Sequence, residues 1–237
     1  MTVCPQQPPL VSIVTGASRG IGRAIALALA GAGHHVFACA RSRPIFDEDV
    51  TGVAAGVGLL EGIACDLAER GAGARLVGEV VARTGRIDVL VNNAGIAPAQ
   101  AMTAATPEVL DAVYALNMRA VHEVTWRAWG SLTATRGVIL NVSSLAARDP
   151  FPGFQLYGAS KAWLELYTRA LADEGRAAGI RAYALTLGAV ETALLRGLFP
   201  DFPSQDALAT DAVAAFALRL LDPACAPASG EAIVLRR

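Results

Sequence analysis

Leu10-Val11-Ser12-Ile13-Val14-Thr15-Gly16-Ala17-Ser18-Arg19-Gly20-Ile21-Gly22, running on into Arg23-Ala24-Ile25-Ala26-Leu27-Ala28-Leu29-Ala30, is the stretch that decides the fold. Leu10–Val14 is a short apolar run of strand type, and Ile21–Ala30 carries apolar residues at helical spacing. Gly16, Gly20 and Gly22 lie between them. A glycine-rich turn that opens a helix aims backbone N–H groups and the positive helix end at one point, which suits a pyrophosphate. The spacing GxxxGxG differs from the GxGxxG fingerprint, and glycines also serve plain turns, so the place of the motif between strand and helix carries the inference.

Working outward, strand-type runs alternate with helix-type segments to the end of the chain. Strands are expected at Leu10–Val14, His35–Ala40, Gly62–Cys65, Ile87–Asn92, Val138–Val142, Ile180–Leu185 and Ala232–Leu235. Helices are expected at Ile21–Ala30, Glu69–Thr84, Pro107–Thr133, Gln155–Ala178 and Asp211–Leu221. The pattern predicts an α/β fold: a doubly wound parallel sheet of Rossmann type, about seven strands with helices on both faces. Residues 1–237 are read as one domain behind a flexible lead-in at 1–9. Arg43–Leu60 shows no clear period.

The chain is 54% hydrophobic with a formal net charge of -1, which argues against a nucleic-acid or anionic-membrane surface and for small-molecule partners. Cys4, Cys39, Cys65 and Cys225 form no CxxC pair and read as reduced thiols. Met1–Pro9 lacks the basic and apolar regions of an export leader, and no apolar run reaches the roughly 20 residues needed to cross a bilayer. A cytoplasmic location is expected. His34, His35 and His122 lack metal-ligand spacing, while Glu123 and Asp173 read as solvated helix charges, so no metal is expected.

The end of the second predicted strand separates two dinucleotides, because a carboxylate there would accept bonds from a ribose 2'-hydroxyl. The run Cys39-Ala40-Arg41-Ser42-Arg43 offers cations instead, and Arg19 in the glycine turn faces the same place. Guanidinium groups match a 2'-phosphate through paired hydrogen bonds, so NADP(H) is the expected cofactor.

Further along, Tyr157-Gly158-Ala159-Ser160-Lys161 places a phenol and an ammonium one helical turn apart on one face. A free tyrosine titrates near pH ~10, so a nearby positive charge is what lets it exchange a proton at neutral pH. Taken with the glycine turn, Asn92-Asn93-Ala94-Gly95, Asn117 and Ser143-Ser144, the chain from about Leu10 onward resembles the short-chain dehydrogenase/reductase family.

That resemblance implies a catalytic set of Asn117, Ser144, Tyr157 and Lys161, with Ser143 structural. Ser144 would hold a substrate carbonyl oxygen, Tyr157 would protonate it, Lys161 would also hold the nicotinamide ribose, and Asn117 would fix a water leading from Lys161 to solvent. The cofactor would be contacted by Gly16, Ser18, Arg19, Gly20, Ile21, Gly22, Arg41, Ala94 and Gly95. By position, Asp66 and Leu67 resemble the adenine contact, Asn93 the adenosine-ribose contact, and Val190 and Thr192 the carboxamide contacts. Asp66 reads equally as a helix cap. Residues 191–205 resemble the substrate lid.

Two departures stand out. Leu187-Gly188 replaces the family's Pro-Gly, which predicts a freer loop, and the Asp-Gly-Gly tail is missing. Family members assemble through the helices matching Pro107–Thr133 and Gln155–Ala178 and through the last strand, so the resemblance implies a homodimer or homotetramer; Trp126, Trp129, Trp163 and Tyr167 on those helices read as core or subunit packing. Ile96, Leu145, Phe151, Phe154 and Gln155 suggest an apolar pocket for a ketone, aldehyde or 3-oxoacyl substrate. An NADP(H)-binding sensor with little turnover, or an alcohol dehydrogenase working oxidatively, is the alternative.

Overall fold

The computed structural model describes residues 8–44, 46 and 58–237. Cys4, most of the lead-in at 1–9 and most of Arg43–Leu60 lie outside the described residues.

β1 (Val11–Thr15), β2 (His35–Ala40), β3 (Leu60–Ala64), β4 (Val89–Asn92), β5 (Val138–Ser144), β6 (Arg181–Leu187) and β7 (Ala232–Leu235) make one sheet in the order β3-β2-β1-β4-β5-β6-β7. Every neighbouring pair is parallel. The order reverses between β1 and β4, which opens a crevice beyond the C-terminal ends of those strands, where ligands bind in such sheets.

Helices cover both faces because the strand side chains alternate between two apolar layers. Val14, Val36, Val91, Leu140 and Leu185 pack with α1 (Gly20–Gly31) and α7 (Thr210–Arg219). Ile13, Phe37, Leu90 and Ile139 pack with α2 (Ala72–Thr84), α4 (Ala120–Thr135) and α5 (Gln155–Gly175). A polar ladder lies within this second layer. Asn92 Nδ2 donates to Asn141 Oδ1 (2.9 Å) and Thr125 Oγ1 (3.1 Å), and Asn141 Nδ2 donates to Thr168 Oγ1 (2.8 Å), so α4 and α5 are tied to neighbouring strands without leaving these buried polar groups unmatched.

Several expected boundaries move. The helix expected over Pro107–Thr133 is α3 (Pro107–Val113), a π-helical stretch at Tyr114–Arg119 and then α4. The helix expected from Glu69 starts at Ala72, because Gly71 before it is left-handed at φ 79°. The helix expected to Ala178 ends at Gly175 and tightens into a 3-10 turn. Leu187 is the last residue of β6, it is buried, and Gly188 N donates to Leu235 O at 2.8 Å. Its N–H and apolar side chain suit a strand end, where proline could not donate.

Candidate active site

Thr15 ends β1 and Gly20 begins α1, so the glycine turn lies at the crevice. Gly16 adopts φ +66°, and a side-chain carbon on it would stand 2.8 Å from Ala94 Cα. The turn therefore rests directly on the segment after β4. Asn93 Nδ2 donates to Thr15 O (2.9 Å) and Gly16 O (3.0 Å). In return Thr15 Oγ1 accepts the N–H groups of Asn93 (3.0 Å) and Ala94 (3.1 Å) and donates to Val91 O (3.2 Å). Asn93, expected at a ribose, thus spends its amide nitrogen on bracing the turn.

No side chain caps the start of α1 and its first turn holds no acid, so its N–H groups and positive end are offered to an anion. Ser18 and Arg19 are exposed beside them, while Gly20, Ile21 and Gly22 form the first turn. Ala17 N donates to Cys39 O at 3.0 Å, which draws the turn against the end of β2. Arg41 and Arg43 follow there, both exposed. Among the described residues no carboxylate pairs with Arg19, Arg41 or Arg43. Asp66 Oδ1 accepts Ala68 N at 2.9 Å, so it caps a turn and not α2. Leu67 is buried in the core, which leaves its backbone as the part that could face a ligand.

The second half of the site comes from β4, β5, the π-helical stretch and α5. Lys161 is 6% exposed, and Lys161 Nζ donates to Val142 O at 2.7 Å. Burial pulls its pKa down to about 8. Its ammonium lies 5.7 Å from the centre of the Tyr157 ring. Burial pushes the Tyr157 phenol up, and a hydrogen bond with Ser144 acts the other way. Ser144 ends β5 and its Oγ accepts Ala146 N at 3.2 Å, which turns the chain back over α5. Beside it, Ser143 Oγ donates its one hydrogen to Glu165 Oε1 (3.2 Å) and also lies within 3.4 Å of Lys161 O.

Asn117 is buried within the π-helical stretch. Its Oδ1 accepts Ile96 N (2.9 Å), and its Nδ2 donates to Ile96 O (2.9 Å) and Ser160 Oγ (3.0 Å). Both amide hydrogens are thus taken by protein, so the expected water is not held by them. Ser160 Oγ in turn donates to Tyr157 O at 2.7 Å, which makes Asn117 a tether between the segment after β4 and the turn carrying Tyr157 and Lys161. A side-chain carbon on Gly95 would stand 3.2 Å from Asn117 Oδ1 and 3.8 Å from Lys161 Nζ.

Residues 191–205 follow the loop after β6. Val190 is buried and bridges Leu208, and Thr192 Oγ1 accepts Leu195 N (3.2 Å) to cap α6 (Ala193–Leu198). Thr192 Cγ2 lies 3.3 Å from where a side-chain carbon on Gly20 would stand, so this segment touches the glycine turn. Arg196 binds it internally, to Glu191 Oε1 (2.7 Å), Phe202 O (2.5 Å) and Ser204 Oγ (2.7 Å). Phe199 stacks on Phe154 at 5.8 Å, and Phe154 meets the Tyr157 ring edge-on at 6.4 Å. Phe154, one of the residues expected to line an apolar pocket, is buried by this packing, whereas Phe151 and Phe199 keep 46% and 42% of their surface exposed.

Glu165 and Arg148 escaped the sequence reading. Their spacing signals nothing alone, because their partners lie on three strands.

A family model for short chain dehydrogenase matches residues 10–202. A short chain dehydrogenase from Pseudocercospora fijiensis is 36% identical over 187 residues, 77% of this chain and 60% of that protein. The crystal structure of 3-ketoacyl-(acyl-carrier-protein) reductase from Brucella melitensis complexed with NADH superposes with a TM-score of 0.83 at 30% identity, covering 96% of each chain. That of 3-oxoacyl (acyl-carrier-protein) reductase from Agrobacterium tumefaciens C58 with NADP bound gives 0.84 at 29% identity, covering 95% of this chain and 92% of that one.

Proposed function

The chain belongs to the short-chain dehydrogenase family, and from that premise we propose that it is an oxidoreductase that reduces a ketone, aldehyde or 3-oxoacyl carbonyl with NADPH. The observation that carries this reading is the meeting of Tyr157, Ser144 and the buried Lys161 ammonium beside an uncapped, acid-free helix start.

The residues at the crevice fit a phosphorylated dinucleotide: α1 offers N–H groups without a competing cap, and Arg19 and Arg41 flank the end of β2 without a carboxylate. Those two guanidinium groups favour a 2'-phosphate over a free 2'-hydroxyl. The relatives leave this choice open, since one is bound to NADH and another to NADP.

When bound, the reduced nicotinamide supplies a hydride to the carbonyl carbon. The protein supplies the proton and the oxygen's environment. Ser144 Oγ and the Tyr157 hydroxyl donate to the carbonyl oxygen, and as charge builds there Tyr157 transfers its proton. Lys161 stabilises the resulting phenolate through its nearby charge, and burial strengthens that interaction by excluding water. Asn117 holds Ser160 and thereby the helical turn bearing both groups. Residues 191–205, with Phe199 against Phe154, act as the lid over Tyr157, and the exposed faces of Phe151 and Phe199 take an apolar substituent. In this reading the partner is a small-molecule carbonyl or alcohol.

A panel of ketones, acyl thioesters and sugars, followed by loss of NADPH absorbance, tests the reading. Turnover of apolar ketones or acyl thioesters is expected, with NADPH preferred over NADH. Tyr157→Phe is expected to lower kcat by about a hundredfold or more while NADPH still binds. Turnover confined to sugars, a strong NADH preference, or an active Tyr157→Phe protein would each contradict it.

A further inference from the structure

Building on the assignment of Ser144, Tyr157 and Lys161 to the proton chemistry, we propose that Glu165 and Arg148 are positioning residues that set Ser144 against the Tyr157 and Lys161 face of α5. Ser144 stands on β5, whereas Tyr157 and Lys161 stand on α5. Their separation is a matter of how helix docks on strand, and Glu165 joins Lys161 and Thr168 among the polar groups that tie α5 to β5.

Glu165 lies one turn beyond Lys161, and its side chain is 14% exposed. Three donors converge on its carboxylate: Ser143 Oγ (3.2 Å), Thr186 Oγ1 (2.5 Å) and Arg148 Nε (3.1 Å). Ser143 and Thr186 are register partners on β5 and β6, so one carboxylate from α5 clamps two adjacent strands. Ser143 Oγ also lies 3.4 Å from Lys161 O, and the next residue along β5 is Ser144. Whatever fixes Ser143 against α5 therefore fixes Ser144 as well.

Arg148 holds the other side of Ser144. Its N–H closes the turn that Ser144 caps, donating to Leu145 O at 2.9 Å. Its guanidinium spans from Glu165 to Ala232 O at 3.0 Å, on β7. The short turn after β5 is thus pinned between α5 and the far edge of the sheet. A fully solvated surface ion pair would add little and would not affect chemistry, and the Arg148 side chain is itself 47% exposed. Here the carboxylate is largely withdrawn from water and has hydrogen bonds from two side-chain hydroxyls besides the guanidinium, the arrangement that holds a reacting constellation rigid.

Glu165→Gln keeps a carbonyl oxygen for the two hydroxyls and turns an amide group toward Arg148. Arg148→Met removes the guanidinium and leaves the carboxylate. Each is expected to lower kcat about tenfold, because misplacing reacting groups by a fraction of an ångström is costly. NADPH affinity should stay near wild type, and the thermal midpoint should fall only modestly, less than the loss in kcat would require if the fold alone were weakened. The double variant should be little worse than Arg148→Met alone, since that change removes both the Glu165 contact and the Ala232 contact while Glu165→Gln alters only the first. Unchanged kcat, a kcat loss matched by equal losses in NADPH binding and thermal midpoint, or multiplying single effects would each overturn the proposal. Tyr157→Phe in the same assay separates the two claims. If it turns over normally, the assignment of the site has failed; if it is inactive while Glu165→Gln is wild type, only the positioning role has.

Discussion

Replacing Gly22 with alanine should cripple dinucleotide binding while leaving the sheet intact. A side-chain carbon there would stand 2.4 Å from Asn93 Nδ2 and 2.5 Å from Gly16 O. Non-bonded heavy atoms rest at roughly 3.5 Å, so about 1 Å of movement must be found. Neither neighbour can readily yield it. Asn93 Nδ2 is bonded to Thr15 O and Gly16 O, and Gly16 is itself pressed against Ala94. The strain should cost about 1–3 kcal/mol of stability, as overpacking does. The displaced turn should also lose about two charge-assisted hydrogen bonds to phosphate, together about 3 kcal/mol. That is about a hundredfold in NADPH affinity, read by fluorescence titration beside a thermal melt. Gly31→Ala is the control, made near the end of the same helix, where nothing lies within 4 Å of the added carbon. It should bind NADPH normally and gain up to about 1 kcal/mol from helix propensity. If Gly22→Ala titrates like wild type, the packing argument for the turn is wrong.

Two pH dependences follow from burial. Lys161 titrates at about 8, so it sheds its charge earlier than an exposed lysine; reductive kcat should fall as pH rises through about 8, and a rate that stays level well above that pH would refute its role beside Tyr157. His34, buried and bonded through Nδ1 to Ser12 Oγ at 2.7 Å, has its pKa lowered by burial, with Asp88 acting weakly the other way. The unfolded chain therefore takes up this proton first as pH drops below about 6.5, so stability should decline there. Urea melts should show that decline reduced in His34→Gln, and an identical decline in both proteins would count against the assignment.

Local chemistry made much of this protein legible. The limits of β2 and β7 agree with the expected His35–Ala40 and Ala232–Leu235, because an apolar run between turn residues has one way to lie in a sheet covered on both faces. The Tyr157 and Lys161 pair could be read because one helical turn brings them together whatever else the chain does. The π-helical stretch at Tyr114–Arg119 was not legible: nothing in its composition distinguishes it from α-helix, and it is embedded in a longer helical run.

From the sequence alone came the alternation of strand and helix, the glycine turn, the Tyr157 and Lys161 pair and the cations after β2, each read from local pattern, while Asn117 and Ser144 came from the order of motifs along the chain. Only the tertiary structure decided that Asn93 braces the glycine turn, that Asn117 tethers Ile96 to Ser160, and that Glu165 gathers Ser143, Thr186 and Arg148. The physical reason is common to all three. Each side chain is polar and at least partly withdrawn from water, so it must find partners, and those partners lie on elements that only the sheet order brings together.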